Sequence, residues 1–165
     1  MSKIAVVMGS QSDLTTLEGM IRLLKKFELD FEVKVLSAHR TPDEAAAYAK
    51  GARENGIDVI IAAAGKAAHL PGVLSAHTTL PVIGIPVKAS VLDGMDALFS
   101  IVQMPTGIPV ATVGINGAEN AALLAIEMLA IRDEKLAGKL AEHRASMKKA
   151  MVTAQESVDR RISEL

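Results

Sequence analysis

Short apolar runs alternate along this chain with longer amphipathic ones. The stretches KIAVVM (3–8), FEVKVL (31–36), DVIIAAA (58–64), PVIGIPV (81–87) and IPVATVGI (108–115) have the length and the Val, Ile and Ala content of strands. Most are apolar at nearly every position, the pattern of parallel strands covered by helices on both faces. FEVKVL, with Glu32 and Lys34, alternates and is expected at a sheet edge. Between the runs, residues 13–28 carry Leu14, Leu17, Ile21, Leu24 and Phe27 three or four apart, which predicts an amphipathic helix. Thr41, Pro42, Asp43 and Glu44 read as a second helix start, with Thr41 as N-cap, proline in the first turn and Glu44 completing a capping box. Gly56 is expected to end that helix.

Strand, helix, strand repeated in this way predicts a doubly wound α/β sandwich whose crossovers are right-handed. From Asn116 the chain turns helical, and over about 132–162 Leu136, Leu140, Met147, Met151, Val158 and Ile162 form one seam on a long helix. That seam is expected to pack on a neighbouring subunit. No low-complexity linker divides the chain, so residues 1–165 are read as one domain.

Composition narrows the chemistry. Half the residues are hydrophobic but only 2% are aromatic, which leaves no stacking platform for nucleic-acid bases. The net charge of −1 comes from 18 basic and 19 acidic residues mixed along the chain, so a broad cationic face for nucleic acid or membrane is excluded. With no cysteine there is no disulfide, thiolate nucleophile or Cys-based metal site, and no His, Asp and Glu set has metal-ligand spacing. The start MSKIAVVMGS lacks the pattern of a signal peptide, and no run is of membrane length, so a cytoplasmic protein is expected.

In an open parallel sheet, ligands bind beyond the carboxyl ends of the strands. Three of the loops expected there are unusual. In MGSQSD (8–13), Gly9 suits a tight turn, while Ser10, Ser12 and Asp13 precede a helix N-terminus that attracts anions. In SAHRTPDE (37–44), His39 and Arg40 stand at the mouth of a helix. An imidazole titrating at roughly 6.5 can give and take a proton in one cycle, and an arginine can pair with a phosphate or carboxylate. In AAAGKAAHLPG (62–72), small residues around Gly65 would let a ligand approach the backbone, with His69 or Lys66 in reach. The apolar stretch SIVQMPTGIPVATV reads as a rigid loop.

Together, VMGSQSD, SAHRTPD, AAHLPG, SIVQMPTGIPVAT and NAALLA, in this order, resemble the PurE family of de novo purine biosynthesis over roughly residues 3–130. The likeness is closest to its bacterial 5-(carboxyamino)imidazole ribonucleotide mutases. It implies a three-layer, flavodoxin-like α/β/α sandwich and a homo-octamer with active sites at subunit contacts. The implied reaction uses no cofactor and no metal: a carboxylate moves from the exocyclic nitrogen of a ribonucleotide to ring carbon C4. By the same resemblance the catalytic histidine is His39, and the ligand-binding serine, aspartate and arginine are Ser10, Asp13 and Arg40. Ser37 and His69 lie in the matched stretches, and Gly9, Ser12 and Gly65 join them as candidate substrate-binding residues.

Ala63 and Lys66 depart from the family pattern, which has glycine at both places. If Lys66 enters the pocket, direct carboxylation of aminoimidazole ribonucleotide becomes the alternative reaction. A non-catalytic flavodoxin-like module binding a phosphorylated ligand is a third reading. It is disfavoured as a flavin binder by the lack of aromatics, and as a signalling receiver because the first and third strands end in MGS and AAAG.

Overall fold

The computed structural model describes residues 2–165, whose contacts divide the chain into one compact unit up to Ala125 and a second from Ile126 to Leu165. The first unit holds five parallel strands, β1 (Lys3–Met8), β2 (Asp30–Val35), β3 (Val59–Gly65), β4 (Val82–Val87) and β5 (Ala111–Thr112), in the order β2-β1-β3-β4-β5. Helices α1 (Leu14–Lys26), α2 (Pro42–Gly51), α3 (Leu70–Ala76) and α4 (Met95–Val102) follow the first four strands. Helix α5 (Ala118–Ala130) runs into the second unit, which contains α6 (Glu134–Ser163). This is the doubly wound α/β sandwich expected from the alternation of apolar runs.

The near-continuous hydrophobicity of β1, β3 and β4 is used on both sides. Ala5, Val7, Ile60, Ala62, Ala64 and Val82 share a core with Ala45 and Ala49 of α2, Leu70 and Leu74 of α3, and Ala97 and Ile101 of α4. Successive strand residues face opposite ways, so the buried Ile4, Val6, Ile61, Ala63, Ile83 and Ile85 supply the other face. Leu17, Met20 and Leu24 of α1 are also buried. The edge position of β2 matches its alternating sequence. Its Glu32 binds Lys3 Nζ at 2.6 Å and accepts a hydrogen bond from Tyr48 Oη at 2.7 Å, which ties β2 to α2 on either side of the His39 loop.

Several details depart from expectation. Thr41 does occupy the N-cap of α2, but its Oγ1 makes no cap bond. It accepts from the Ser37 N–H (2.9 Å) and donates to the Ser37 carbonyl (3.2 Å), so the hydroxyl closes the preceding loop and the capping box does not form. Helix α2 ends at Gly51, and Gly56, at φ 75°, closes the turn beyond it. The run 108–115 contributes only Ala111 and Thr112 to the sheet. Pro109 has no N–H to offer a ladder, and its carbonyl accepts from buried Ser75 Oγ at 2.8 Å, so the chain here bonds to α3 instead. Two short helices overlap the ends of stretches read as loops, α3 beginning at Leu70 within the AAHLPG motif and α4 ending at Val102 within SIVQMPTGIPVATV.

Candidate active site

In the order β2-β1-β3-β4, the first strand lies between the second and third, and the connection from β1 runs to β2 on one side while that from β3 runs to β4 on the other. Loops after β2 and β3 therefore converge above the carboxyl end of β1, the position at which open α/β sheets form ligand crevices. A cavity of about 640 Å³ occupies this place. All nine residues named as candidate catalytic or substrate-binding groups line it: Gly9, Ser10, Ser12, Asp13, Ser37, His39, Arg40, Gly65 and His69.

The β1 loop is built by its own polar residues. Ser10 caps a single 3-10 turn, Gln11–Asp13, that leads into α1. Its Oγ accepts from the Ser12 N–H (3.3 Å) and hydroxyl (2.9 Å), and its N–H donates to Asp13 Oδ2 at 3.1 Å. Asp13 is buried. Burial raises its pKa from the ordinary carboxylate value, against the opposing effect of the hydrogen bonds from Ser10 and Ser12. Gly9 continues the sheet by donating its N–H to the Ala63 carbonyl at 3.1 Å. It has no positive φ, and an added Cβ would meet only ordinary contacts, so the tight-turn reading of Gly9 is not what the backbone requires. Gly65 is constrained differently: a Cβ there would stand 3.1 Å from the Val87 carbonyl, so its smallness serves the close approach of β4.

The β2 loop positions Arg40 and His39. Arg40 Nη2 donates to the Gly9 carbonyl at 3.1 Å, and its backbone N–H donates to Ser37 Oγ at 3.2 Å, which fixes the guanidinium beside the β1 loop. His39 is exposed, and its Nε2 lies 2.7 Å from Nδ1 of His69 in the β3 loop. The two rings meet edge to face, with centroids 4.8 Å apart and planes at 78°. A hydrogen bond of this length needs one nitrogen to donate and the other to accept. The pair therefore holds a proton between its rings and can release or reclaim one at an outer nitrogen.

Sequence reasoning proposed both histidines but not their contact, because the strand order that brings their loops together is absent from local patterns. Lys66, Lys88, Ala38, Ala64, Ala67, Leu70, Val87 and Ala89 complete the lining. Lys88 follows β4, the one signal available for it. It pairs with Asp93 at 2.9 Å, and its N–H donates to Asn116 Oδ1 at 2.9 Å. Lys66 has φ 56°, the left-handed region that glycine adopts freely and that costs other residues about 1–2 kcal/mol.

Comparison with known proteins places this geometry. The AIR carboxylase family model matches residues 3–150. The chain belongs to the AIR carboxylase family. Within that family, the chain is 56% identical over 149 residues to a protein of Pyrococcus abyssi named N5-carboxyaminoimidazole ribonucleotide mutase, covering 90% of this chain and 86% of the relative. It is 51% identical to the Bacillus subtilis protein of the same name, over 94% of this chain and 97% of that one. A chloroplastic phosphoribosylaminoimidazole carboxylase of Vigna aconitifolia is 46% identical over 93% of this chain, but the match spans 28% of that larger protein. Among solved structures, Treponema denticola PurE superposes with a TM-score of 0.84 at 25% identity, covering 95% of this chain and 98% of that one. Among the described residues of this AIR carboxylase family member, no helix is long and apolar enough to cross a membrane.

Proposed function

We infer that the chain is an N5-carboxyaminoimidazole ribonucleotide mutase, an isomerase of purine biosynthesis with His39 as its acid and base. The observation that carries the reading is the hydrogen-bonded His39–His69 pair on a cavity that also presents Ser10, Asp13 and Arg40. Two relatives of this family bear the mutase name at 56% and 51% identity over nearly their whole lengths, which supports the same assignment.

The chemistry needs one proton moved twice. An imidazolium at His39 donates a proton to the exocyclic nitrogen as the N–C bond to the carboxylate breaks, leaving an amine, CO2 and neutral His39. Ring carbon C4 then attacks the retained CO2, and His39 removes the proton from C4, restoring the aromatic ring and the imidazolium. Atoms and charge balance within the cycle. The ribonucleotide phosphate is assigned to Ser10, Ser12 and Arg40, where hydroxyls and a guanidinium face the cavity. Small residues on the β3 side, Ala64, Gly65 and Ala67, leave room for the imidazole ring and for CO2.

The Vigna relative's name favours direct carboxylation as the second reading. The two separate in one experiment without ATP. Protein supplied with the carboxyamino substrate, labelled with 13C in its carboxylate, is expected to form the 4-carboxy product with the label retained. Turnover seen only with aminoimidazole ribonucleotide plus bicarbonate would assign the carboxylase reaction instead.

We also propose that the chain acts as a single-domain subunit of a cytoplasmic homo-octamer in which α6 packs on a neighbour. Exposed Met147, Met151, Val158 and Ile162 on α6, with Phe99 and Val102 of α4, support burial between copies. Light scattering on the eluting protein should give the mass of eight chains; a monomer mass would remove this assembly.

A further inference from the structure

Three cations line the cavity, and they are not equivalent. Arg40 is already bonded to the Gly9 carbonyl, and Lys88 is already paired with Asp93 at 2.9 Å. Lys66, among the described residues, has no ion pair and no side-chain hydrogen bond. The only carboxylate among the described residues of the lining, Asp13, belongs to the β1 loop, where it accepts from Ser10. The β3 side of the cavity therefore carries an uncompensated positive charge.

Position says which part of a ligand meets that charge. Gly65 pairs with Val87 at the ends of β3 and β4, so Lys66 and Lys88 follow on neighbouring strands. Lys66 stands three residues before His69, on the turn that supplies half of the imidazole pair, whereas Ser10, Ser12 and the fixed guanidinium of Arg40 gather at the β1 loop. A ribonucleotide with its phosphate at the β1 loop would bring its reacting ring, and the carboxylate on it, to the histidines and Lys66. The backbone adds a second observation. Lysine stands at φ 56°, in a conformation glycine would adopt without strain, and such strain in a cavity wall commonly accompanies a working side chain.

We propose that the Lys66 ammonium holds the migrating carboxylate at the histidine end of the cavity and so sets how strongly this protein prefers carboxylated over decarboxylated ribonucleotide. The assignment rests on the mutase reading. The ion pair exists with carboxylated substrate and with carboxylated product, and it is broken with the neutral CO2 between them. Lys66 therefore contributes to binding at both ends of the reaction, and its loss is carried by KM more than by kcat.

The test is calorimetric titration of native, Lys66→Met, Lys66→Arg and Lys66→Gly proteins with 4-carboxy-5-aminoimidazole ribonucleotide and with 5-aminoimidazole ribonucleotide. Lys66→Met is expected to weaken the carboxylated ligand about 5- to 20-fold and the decarboxylated one less than about twofold, with Lys66→Arg close to native. Lys66→Gly should match Lys66→Met in binding while raising Tm, because glycine relieves the left-handed backbone and methionine does not. Equal weakening of both ligands, or of neither, would overturn the assignment. If the native protein binds neither nucleotide, the mutase reading falls and this assignment with it.

Discussion

Replacing His39 with asparagine is expected to lower kcat by about three orders of magnitude or more, the upper part of the range for general acid–base catalysis. Dissociation constants for the ribonucleotide should change by less than about threefold, because phosphate contacts lie with Ser10, Ser12 and Arg40. Asparagine is the informative choice. Its side-chain amide can still donate a hydrogen bond toward His69 Nδ1, which His39 Nε2 now meets at 2.7 Å, so the loop geometry has a means of survival. What the amide cannot do is bind a proton and give it up. Both halves of the rearrangement fail together, and the carboxyamino substrate should neither lose CO2 nor form the C4 product above the spontaneous rate. Retention of native kcat would refute the acid–base role. A parallel collapse of binding would mean that His39 holds the ligand instead of working on it.

The parts of this arrangement that local patterns could reveal are those enforced by local physics. Apolar runs without alternation mark β1, β3 and β4 because helices cover both faces, and Glu32 and Lys34 mark β2 as an edge. Thr41 and Pro42 announce the start of α2 correctly, since a proline in the first turn loses no helical hydrogen bond. Where a residue has two possible partners, the patterns fail. Thr41 could cap α2 or close the Ser37 loop, and it does the second. Pro109 sits in a strand-like run whose carbonyl is claimed by Ser75, a residue 34 positions away.

The same division applies to the cavity. His39, Arg40, Ser10 and Asp13 are visible because each stands where a strand ends and a helix begins. That His39 and His69 touch is a consequence of β1 lying between β2 and β3, a long-range fact no single loop contains. The reason for Gly65 likewise resides in Val87 of the adjacent strand, not in its own loop. Lys66 is conspicuous in sequence only by comparison with the family pattern; its φ of 56° supplies the physical meaning of that departure.

Asp13→Asn should trade stability against activity in a pH-dependent way. Asp13 is buried, and that burial, the largest influence on it, raises its pKa despite the hydrogen bonds from Ser10 and Ser12. A carboxyl whose folded pKa exceeds its unfolded value favours folding most below the unfolded value, and that contribution is lost as pH rises through the folded one. Ionising this buried carboxyl as pH rises costs stability that an asparagine, which carries no charge, does not lose, while Asn Oδ1 can still accept from the Ser10 N–H. Thermal unfolding should show Asp13→Asn with a higher Tm than native at pH 7, and the difference should shrink as pH falls toward the ordinary carboxylate range near 4. Activity moves the other way. A charged acceptor lining the cavity is worth about 1.5–3 kcal/mol to a ligand hydroxyl, so kcat/KM should fall about 10- to 100-fold. A variant less stable than native at pH 7 would show that the carboxylate is retained for folding; one that is both more stable and fully active would remove Asp13 from the binding of substrate.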